Sequence, residues 1–255
     1  MYSRCNCHDQ FLGNFPKKRP ELPREYQLIY EAEYLNNRNG YGLVSAFASA
    51  LESWMHRKAA SHHELGDSVL ELGAGTLNHL EFEPNVGAYD IVEPFHQLYD
   101  GRESHSKIRS SYQTIHDVPE SNRYARILSV AVLEHVLDLP ALVARSGLLL
   151  AEKGVFSAGV PTEGGLLWYL AWRLGTGIPF YIKYRMDYAP YMRFEHVNSA
   201  YEIESVLRFF FGHVTVERYP FDCFHSSFYS YFDCHEPRLN RCADYLKEMH
   251  VNKNT

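Results

Sequence analysis

The sequence has no long apolar run, no surplus of basic charge and few cysteines, and each shortage excludes a class of protein. No uninterrupted apolar stretch approaches the ~20 residues of a membrane-spanning helix. Lys and Arg number 25 against 31 Asp and Glu, for a formal net charge of −6. Binding nucleic acid needs clustered cations, so we expect no nucleic-acid partner. Five cysteines and a first stretch without an apolar signal region predict a reduced, cytoplasmic protein.

The 255 residues have room for one large domain, which we divide into two parts. Residues 1–60 are predicted to be an N-terminal arm followed by helices that cover the site. Residues 1–22 are proline-broken and basic, which indicates an arm outside the core, and residues 24–58 have helical apolar spacing. Residues 61–255 are predicted to form the main domain. Within it, 162–195 is read as an inserted lid, helical at "LLWYLAWRL".

Short β-like runs alternate with helical patterns through the main domain. The strand candidates are "SVLELGAG", "AYDIVEP", "RILSVAV" and "GVFSAGVP". "HVLDLPALVARSGLLLAEKG" is predicted to be a helix that stops at its final Lys-Gly, and "NSAYEIESVLRFFFG" a helix capped by Asn or Ser. "HVTVERYPF" and "DCFHSSFYSYF" follow as strands. This order predicts an α/β fold: a mostly parallel sheet with helices on both faces and an antiparallel C-terminal edge.

A glycine turn follows the first predicted strand, in "VLELGAGTLNHL". We expect it to lie between that strand and a helix, where a ligand can approach the backbone. Asn78 stands where a dinucleotide-binding turn has its third glycine, and no lysine follows as in a phosphate loop. Glu71 precedes the turn, Glu93 ends the second strand eighteen positions after Gly75, and Asp117 lies after the third. Carboxylates here suit a ligand with an ammonium group and a ribose, a description that fits S-adenosylmethionine.

Four segments in order resemble the motifs of class I S-adenosylmethionine-dependent methyltransferases: "LELGAGT", "YDIVEP", "IHDVP" and "ILSVAVLEHVLDLPALV". The resemblance covers about 67–232 and is strongest to the type with Leu-Glu-His after the fourth strand. "GAGTLNHL", "LESWMHRKAA" and "EGGLLWYLAWRL" also resemble methyltransferases of bacterial surface-polysaccharide clusters. The resemblance implies a Rossmann-like, seven-stranded sheet. Leu77 is a departure, because many relatives carry a third glycine there.

The resemblance also implies which residues bind S-adenosylmethionine. Glu71, Gly73 and Gly75 would line the methionine end, Glu93 would take the ribose hydroxyls, and Asp117 the adenine amine. Ala131 and Val132 would form the wall beside the transferring methyl group. The full implied set is Glu71, Gly73, Ala74, Gly75, Glu93, Pro94, Asp117, Val118, Ala131 and Val132.

Three residues are candidates for removing a proton from the methyl acceptor. Glu134 and His135 follow the fourth strand, and His196 follows the insert. Imidazole titrates near neutral pH, so either histidine suits the role of general base. The alternatives are that Glu134 caps a helix and that both histidines are structural. Some related Leu-Glu-His enzymes bind a metal here with a further carboxylate, but Ala131 occupies that position, so we expect no metal.

The residues of the aromatic insert are compatible with several classes of methyl acceptor. Its tyrosines and tryptophans suit a sugar or a lipid chain, and its basic residues suit a diphosphate or an anionic membrane surface. Alternatively, the aromatic side chains cap the core or form a homodimer contact. The favoured function is O-methylation of a saccharide, nucleotide- or lipid-linked, for polysaccharide biosynthesis. The alternatives are methylation of another small molecule, such as a quinone or secondary metabolite, and a catalytically silent cofactor-binding protein.

Overall fold

The computed structural model describes residues 11–30, 46–61, 64, 66–83 and 86–253. Its seven strands are β1 Val69–Leu72, β2 Tyr89–Val92, β3 Ser110–Tyr112, β4 Tyr124–Val130, β5 Leu150–Pro161, β6 Phe211–Pro220 and β7 Ser227–Pro237. The helices are α1 Ala46–Ala60, α2 Leu139–Leu149, α3 Leu166–Trp172, α4 Ile178–Tyr184, α5 Ala189–Glu195, α6 Ala200–Phe210 and α7 Leu239–Lys253. Residues 24–30 are also helical.

The strands form one sheet in the order β3-β2-β1-β4-β5-β7-β6. β1 pairs in parallel with both β2 and β4, β3 continues the parallel pairing on the outside of β2, and β5 does so beside β4. β7 runs antiparallel between β5 and β6. The predicted Rossmann-like, mostly parallel sheet with an antiparallel C-terminal edge is therefore confirmed. The order of the strands reverses at β1 and β4, where open α/β sheets bind ligands.

Helices cover both faces of the sheet, as predicted. On one face α2, α6 and α7 pack on a core that includes Leu70, Ile127 and Phe156. On the other face α1 crosses β4, β5 and β7, and its Met55 packs against Gly159 of β5. The residues of the strands alternate between these two cores, because successive side chains point to opposite faces.

The predicted helix after the glycine turn is wrong among the described residues. A five-residue 3₁₀ helix, Asn78–Phe82, stands in its place, and Leu77 precedes it in the left-handed region at φ 65°. Leu77 is buried beneath the sheet face that α1 also covers. His56 of α1 lies 3.0 Å from His79 of the 3₁₀ helix, measured between their Nδ1 atoms. The long helix α1 therefore packs against this short segment from a distant part of the sequence.

The predicted helix over "HVLDLPALVARSGLLLAEKG" ends earlier than the Lys-Gly stop. Asp138 caps α2 at its start, and the helix gives way to β5 at Leu150. Lys153 has a positive φ of 63°, and the pairing with β4 shifts register where Tyr124 and Arg126 meet Leu150 and Val155. The lysine and glycine thus belong to an irregular stretch of a strand, because residues 150–154 continue the sheet.

The N-terminal arm is not separate from the core, contrary to the prediction; its first ten residues lie outside the described part. Leu12, Phe15 and Leu22 are buried, and the first two join the core beneath α2 and α6. Lys17 donates to the Val197 carbonyl at 2.7 Å and forms an ion pair with Glu202 of α6 at 2.5 Å. The arm is therefore part of the packed structure.

The insert is helical, as predicted. α3 and α4 are joined through a π-turn, Arg173–Gly177, and α5 follows before the chain returns to α6. Its inner aromatic side chains contact one another: Trp172 lies against Tyr188, and Phe180 contacts both Tyr188 and Tyr191, which stack on each other. None of the helices in the described ranges is both long and apolar enough to cross a membrane.

Candidate functional site

The two glycines of the turn after β1 serve different purposes. Gly73 has φ 68° and Gly75 has φ 50°, a region that L side chains rarely adopt. A Cβ on Gly73 would lie 2.4 Å from Cγ2 of Val132, so the glycine allows the β4 loop to pack on the turn. A Cβ on Gly75 would meet no atom nearer than 4.0 Å. The space over Gly75 is therefore open to a ligand, whereas Gly73 is required by the protein's own packing.

Glu93 joins the loops after β1 and β2. Its two carboxylate oxygens accept hydrogen bonds from the Gly75 amide at 2.9 Å and from the Phe95 amide at 3.0 Å. The side chain is 4% exposed. Pro94 lies in the β2 loop that this carboxylate spans, and Ala74 is buried in the β1 turn. The predicted residues of the first two loops are thus brought together around one carboxylate.

Glu71 lies in β1 and is buried on the same sheet face as Tyr89. The Tyr89 hydroxyl donates to its Oε2 atom at 2.8 Å. Burial raises the pKa of Glu71 to about 8, because removal from water disfavours the charged carboxylate. At neutral pH this side chain is therefore mostly protonated, and it carries less negative charge than the sequence suggests.

Asp117 is the predicted residue whose contacts are purely local. It is exposed, and its Oδ2 atom accepts from both the amide and the hydroxyl of Thr114, three residues earlier. These bonds form a capping box on the short 3₁₀ turn Ile115–Asp117. Val118, the next residue, is 1% exposed. The carboxylate thus has a structural function in its own turn, and its predicted contact with adenine stays a prediction.

Ala131 and Val132 carry the chain out of β4 and over the glycine turn. Ala131 has a positive φ of 54°, and its amide donates to the Gly159 carbonyl at 2.8 Å. This bend directs the Val132 side chain onto Gly73. Val132 therefore lies against the turn predicted to bind the cofactor, and the role of both residues as a wall beside the methyl group stays a prediction.

Glu134 is a buried acid with an unsatisfied oxygen. It is 2% exposed, and its Oε2 atom has no hydrogen-bond partner among the described residues. Its backbone carbonyl accepts from the amides of Val197 and Asn198, which fixes the end of the insert beside the β4 loop. Burial raises the pKa of Glu134 for the same reason as for Glu71.

His135 and His196 meet edge to face at this point, with ring centroids 4.9 Å apart. Nδ1 of His135 lies 2.8 Å from the Glu195 carbonyl, and Nδ1 of His196 lies 3.0 Å from a Glu163 carboxylate oxygen. Both acceptors favour a proton on Nδ1, which leaves each Nε2 with its lone pair. One nitrogen from each ring and one oxygen of Glu134 lie within 4.8 Å of one another, a spacing that also suits a metal ion.

Two residues of this cluster were missed in the sequence. Glu163 accepts from Trp168 Nε1 at 2.6 Å as well as facing His196. Its position just beyond the carboxyl end of β5 is the signal that would have identified it. Arg19 of the arm donates to the carbonyls of Phe194, Glu195 and His135, the last at 3.1 Å. No local pattern marks Arg19, because its partners are more than a hundred positions away.

A cavity of about 720 Å³ is lined mainly by residues of the insert and includes Glu163 and Trp168, two side chains that contact His196. Aromatic rings and charged groups share its wall: Glu163, Trp168, Tyr169, Trp172, Arg173, Asp187, Met192, Arg193 and His225. Trp168 also stacks on His196, with 14° between the ring planes. The cavity therefore combines flat apolar surfaces with hydrogen-bonding groups of both charges, next to the candidate bases.

No family model matches the chain, and no curated protein matches it. Solved structures do, and several of them are S-adenosylmethionine-dependent methyltransferases. The N-methyltransferase NodS from Bradyrhizobium japonicum, in complex with S-adenosyl-L-homocysteine, is 14% identical with a TM-score of 0.57, over 84% of this chain and 99% of NodS. The chain therefore has the fold of these methyltransferases.

Two further structures give the same result. An O-methyltransferase family protein from Burkholderia thailandensis is 9% identical with a TM-score of 0.52, over 90% of this chain and 68% of that protein. A methyltransferase from Thermotoga maritima is 12% identical with a TM-score of 0.52, over 82% of this chain and 97% of that protein. Proteins named for N- and O-methylation are thus similar to one fold, so the fold does not select the acceptor atom.

Proposed function

We propose that this protein is an S-adenosylmethionine-dependent methyltransferase that methylates a hydroxyl group of a saccharide. The observation that carries the cofactor assignment is Glu93, whose carboxylate lies at the end of β2 and spans the two loops beside the open space over Gly75. A ribose placed there would meet a carboxylate that accepts hydrogen bonds from its hydroxyls. The fold shared with NodS, which binds S-adenosyl-L-homocysteine, supports the same cofactor.

The other predicted cofactor residues keep their proposed roles. Glu71, Gly73, Ala74 and Gly75 would line the methionine end, and Ala131 with Val132 the transferring methyl group. Pro94 would shape the loop after Glu93. Asp117 and Val118 would take the adenine, with the Thr114 capping contact retained. The mostly protonated state of Glu71 makes it a hydrogen-bonding group more than a counter-charge at neutral pH.

In the proposed reaction the acceptor oxygen attacks the methyl carbon of the sulfonium. The S–CH₃ bond breaks as the O–CH₃ bond forms, S-adenosylhomocysteine leaves, and the hydroxyl proton passes to a base. His196 suits that role because Glu163 holds its Nδ1–H and leaves Nε2 to accept the proton. His135, oriented by the Glu195 carbonyl, is the other candidate, with Glu134 beside it.

The saccharide assignment is supported by the chemistry of the adjoining cavity. Trp168 and Trp172 offer flat faces of the kind on which sugar rings stack, and Glu163, Asp187 and Arg193 offer partners for hydroxyl groups. Arg173 also lines the cavity and suits a phosphate of a nucleotide- or lipid-linked sugar, once its bond to Asp187 is exchanged. Another small molecule, such as a quinone, is the runner-up acceptor, and a catalytically silent cofactor-binding protein is the alternative outside enzymes.

A second way to activate the hydroxyl follows from the spacing of Glu134, His135 and His196. Their three ligand atoms would hold a divalent cation, which would lower the pKa of a bound hydroxyl. Ala131 supplies no fourth ligand. Full turnover after exhaustive chelation would favour the histidine base without metal, and loss of turnover restored by one added cation would favour the cation.

The remaining proposals concern the domain organisation, the oligomeric state and the cellular location. Residues 1–60 would cover the site and 162–195 would form a lid over the acceptor, and the contacts of Arg19 with the carbonyls around His135 are compatible with both. A homodimer and a cytoplasmic location stay predictions.

Calorimetric titration with S-adenosylmethionine, S-adenosylhomocysteine and NAD tests the cofactor assignment. We expect both sulfur nucleosides to bind, NAD not to bind, and Glu93→Ala to weaken binding by about 30-fold, since two charge-assisted hydrogen bonds are lost. Asp117→Ala should cause a smaller loss of affinity, because its carboxylate is proposed to accept a hydrogen bond from the adenine amine only. Absence of binding by either nucleoside would refute the proposal.

The base is tested separately, with the radiolabelled cofactor and a panel of nucleotide- and lipid-linked sugars. His196→Ala and His135→Ala are expected to leave the affinity for S-adenosylhomocysteine unchanged, and the variant that removes the base should lose about a hundredfold in kcat. A loss of nucleoside affinity instead would assign that histidine to binding.

A further inference from the structure

The insert carries a row of large apolar side chains that are exposed to solvent. Every fourth residue from Leu166 to Ile182 is a leucine or isoleucine, and all of them are exposed: Leu166 58%, Leu170 42%, Leu174 60%, Ile178 49% and Ile182 63%. Tyr169 and Tyr181 are exposed beside the row. We call these seven residues the apolar ridge. They are seven of the fifteen large hydrophobic side chains that are exposed in the described chain, so the ridge is a concentrated patch.

The π-turn keeps the ridge on one side of the insert. In an uninterrupted α-helix a step of four residues exceeds one turn by about 40°, so four steps would rotate the row by about 160°. The π-turn Arg173–Gly177 takes up one additional residue in a single turn, which removes about 100° of that rotation. The row from Leu166 to Ile182 therefore stays within about 60° over roughly 24 Å.

The opposite side of the same segment is already packed. Trp168 bonds to Glu163, Phe180 packs among Tyr184, Tyr188 and Tyr191, and Tyr26 of the N-terminal part stacks on Phe180. Folding of the insert thus relies on the inner rings, and the outer ridge is left to face solvent. An exposed contiguous apolar patch of this kind is typical of a binding surface.

Positively charged side chains predominate along the helical segment that carries the ridge, and Glu163 and Asp187 flank that segment. Residues 164–186 contain Arg173, Lys183 and Arg185 and not a single Asp or Glu, although the whole chain has a net charge of −6. Arg185 lies over the ring of Tyr181 in the ridge, whereas Arg173 lies over Trp172 and pairs with Asp187, so Lys183 and Arg185 are the cations near the C-terminal end of the row. Two copies of such a surface would repel each other, whereas an anionic surface would be attracted.

We propose that the apolar ridge binds the surface of an anionic membrane. The leucines and isoleucines would enter the boundary between headgroups and acyl chains, and the Lys and Arg side chains would meet the lipid phosphates. The helix would lie in the plane of the membrane, because no helix of the described residues is both long and apolar enough to cross one. Leu166, Tyr169 and Arg173 also line the proposed acceptor cavity, whereas Leu170, Leu174, Ile178, Ile182, Lys183 and Arg185 do not, so the inference rests on these six residues and does not depend on the proposed methyl transfer.

Co-sedimentation of the full chain with lipid vesicles tests the proposal. We expect binding to vesicles of equimolar phosphatidylcholine and phosphatidylglycerol, at least about tenfold weaker binding to phosphatidylcholine alone, and further weakening as salt is added. Leu170→Ser combined with Leu174→Ser should weaken binding at least about tenfold. Leu239→Ser is the matched control, since Leu239 is a leucine of similar exposure (54%) on α7, and binding should not change.

The charged side chains have a control of the same kind. Lys183→Gln with Arg185→Gln should weaken binding to the anionic vesicles, and Lys107→Gln with Lys247→Gln, two exposed lysines on other elements, should not. The proposal is overturned if the wild type does not bind, if it binds both vesicle types equally, or if the serine pair binds normally. It is also overturned if sedimentation velocity shows a dimer that the serine pair separates while vesicles bind nothing, because the ridge would then be a contact between copies.

Discussion

The carboxylates at the two halves of the site differ in how the protein itself satisfies them. At β1 and β2, Glu71 accepts from Tyr89 and Glu93 accepts from two backbone amides. After β4, Glu134 is equally buried but has an oxygen without a partner in the described chain. An unsatisfied buried carboxylate is costly, so proteins retain one where a ligand or the chemistry uses it. The comparison indicates that the loops after β1 and β2 satisfy their own carboxylates, which suits a preformed cofactor site. The loop after β4 has an unsatisfied carboxylate, which suits contact with a ligand.

The largest expected effect concerns Glu71 and pH. Its native pKa of about 8 exceeds the ordinary 4.5, so between those values the native state keeps a proton that the unfolded chain has released. Raising the pH through this window therefore lowers the free energy of unfolding, by up to about 1.4 kcal/mol per unit and roughly 5 kcal/mol in all. Glu71→Gln keeps an acceptor for Tyr89 and removes the titration. Urea unfolding at about pH 5 and about pH 8 should show a variant that gains on the wild type as pH rises; equal differences at both would contradict the raised pKa.

The next largest effect is expected at the contact between Gly73 of the turn after β1 and Val132 of the loop after β4. Gly73→Ala combines a left-handed backbone with a Cβ 2.4 Å from Val132, and we expect a loss of about 3 kcal/mol or more in the free energy of unfolding. The overlap alone should be relieved by Val132→Ala. A double-mutant cycle in urea should therefore give a coupling of at least about 1 kcal/mol, and strict additivity would show that the two residues do not meet.

Replacement of a buried glutamate by methionine should lower the stability of the protein at Glu93 and raise it at Glu134. Glu93→Met leaves the amides of Gly75 and Phe95 unpaired and should destabilise the protein by about 2 kcal/mol. Glu134→Met removes a buried carboxylate that lacks a full set of partners, and should stabilise it by about 1 kcal/mol, or roughly 2–4 °C in Tm. Thermal unfolding of both variants measures this. Two destabilised variants would mean that Glu134 is satisfied in solution.

The smallest expected effect belongs to Gly75. A methyl group there meets open space, so Gly75→Ala should cost only the backbone preference, about 1 kcal/mol. A loss equal to that of Gly73→Ala would show that the turn is equally tight at both glycines. The affinity for S-adenosylhomocysteine should nevertheless fall in Gly75→Ala, because the added methyl group enters the proposed binding space.

Patterns within one segment predicted the fold well, and long-range packing limited the prediction. Six of the seven strands, the antiparallel edge and a cap of α6 at Asn or Ser were predicted from apolar patterns and capping residues, whereas the short β3 was not among the predicted strand segments. The absence of an α-helix after β1 was not predicted, because it depends on the packing of α1, whose His56 contacts the 3₁₀ helix there. The early end of α2 was not predicted either, because a Lys-Gly pair occurs both at the end of a helix and in an irregular stretch of a strand.

The features of the candidate site also fall into those that the sequence predicted and those that depend on the folded structure. Residues at the ends of parallel strands, such as Glu93 and Glu134, could be named from position alone. The neutral tendency of Glu71 could not, because it depends on burial in the folded core. The arm's contribution also could not, since only the folded chain brings Arg19 to the carbonyl of His135.

The contacts of the arm have a consequence for biosynthesis. Lys17 and Arg19 bond to carbonyls that lie 180 and 175 positions later in the chain. At a synthesis rate of about 5–20 residues per second, roughly 10 to 35 seconds separate the emergence of these side chains from that of their partners. During this interval the arm's apolar Leu12 and Phe15 have no complete core to enter. The arm therefore completes its hydrogen bonds around the proposed catalytic loop only after residues 194–197 have been made, with β6, β7 and α7 still to follow.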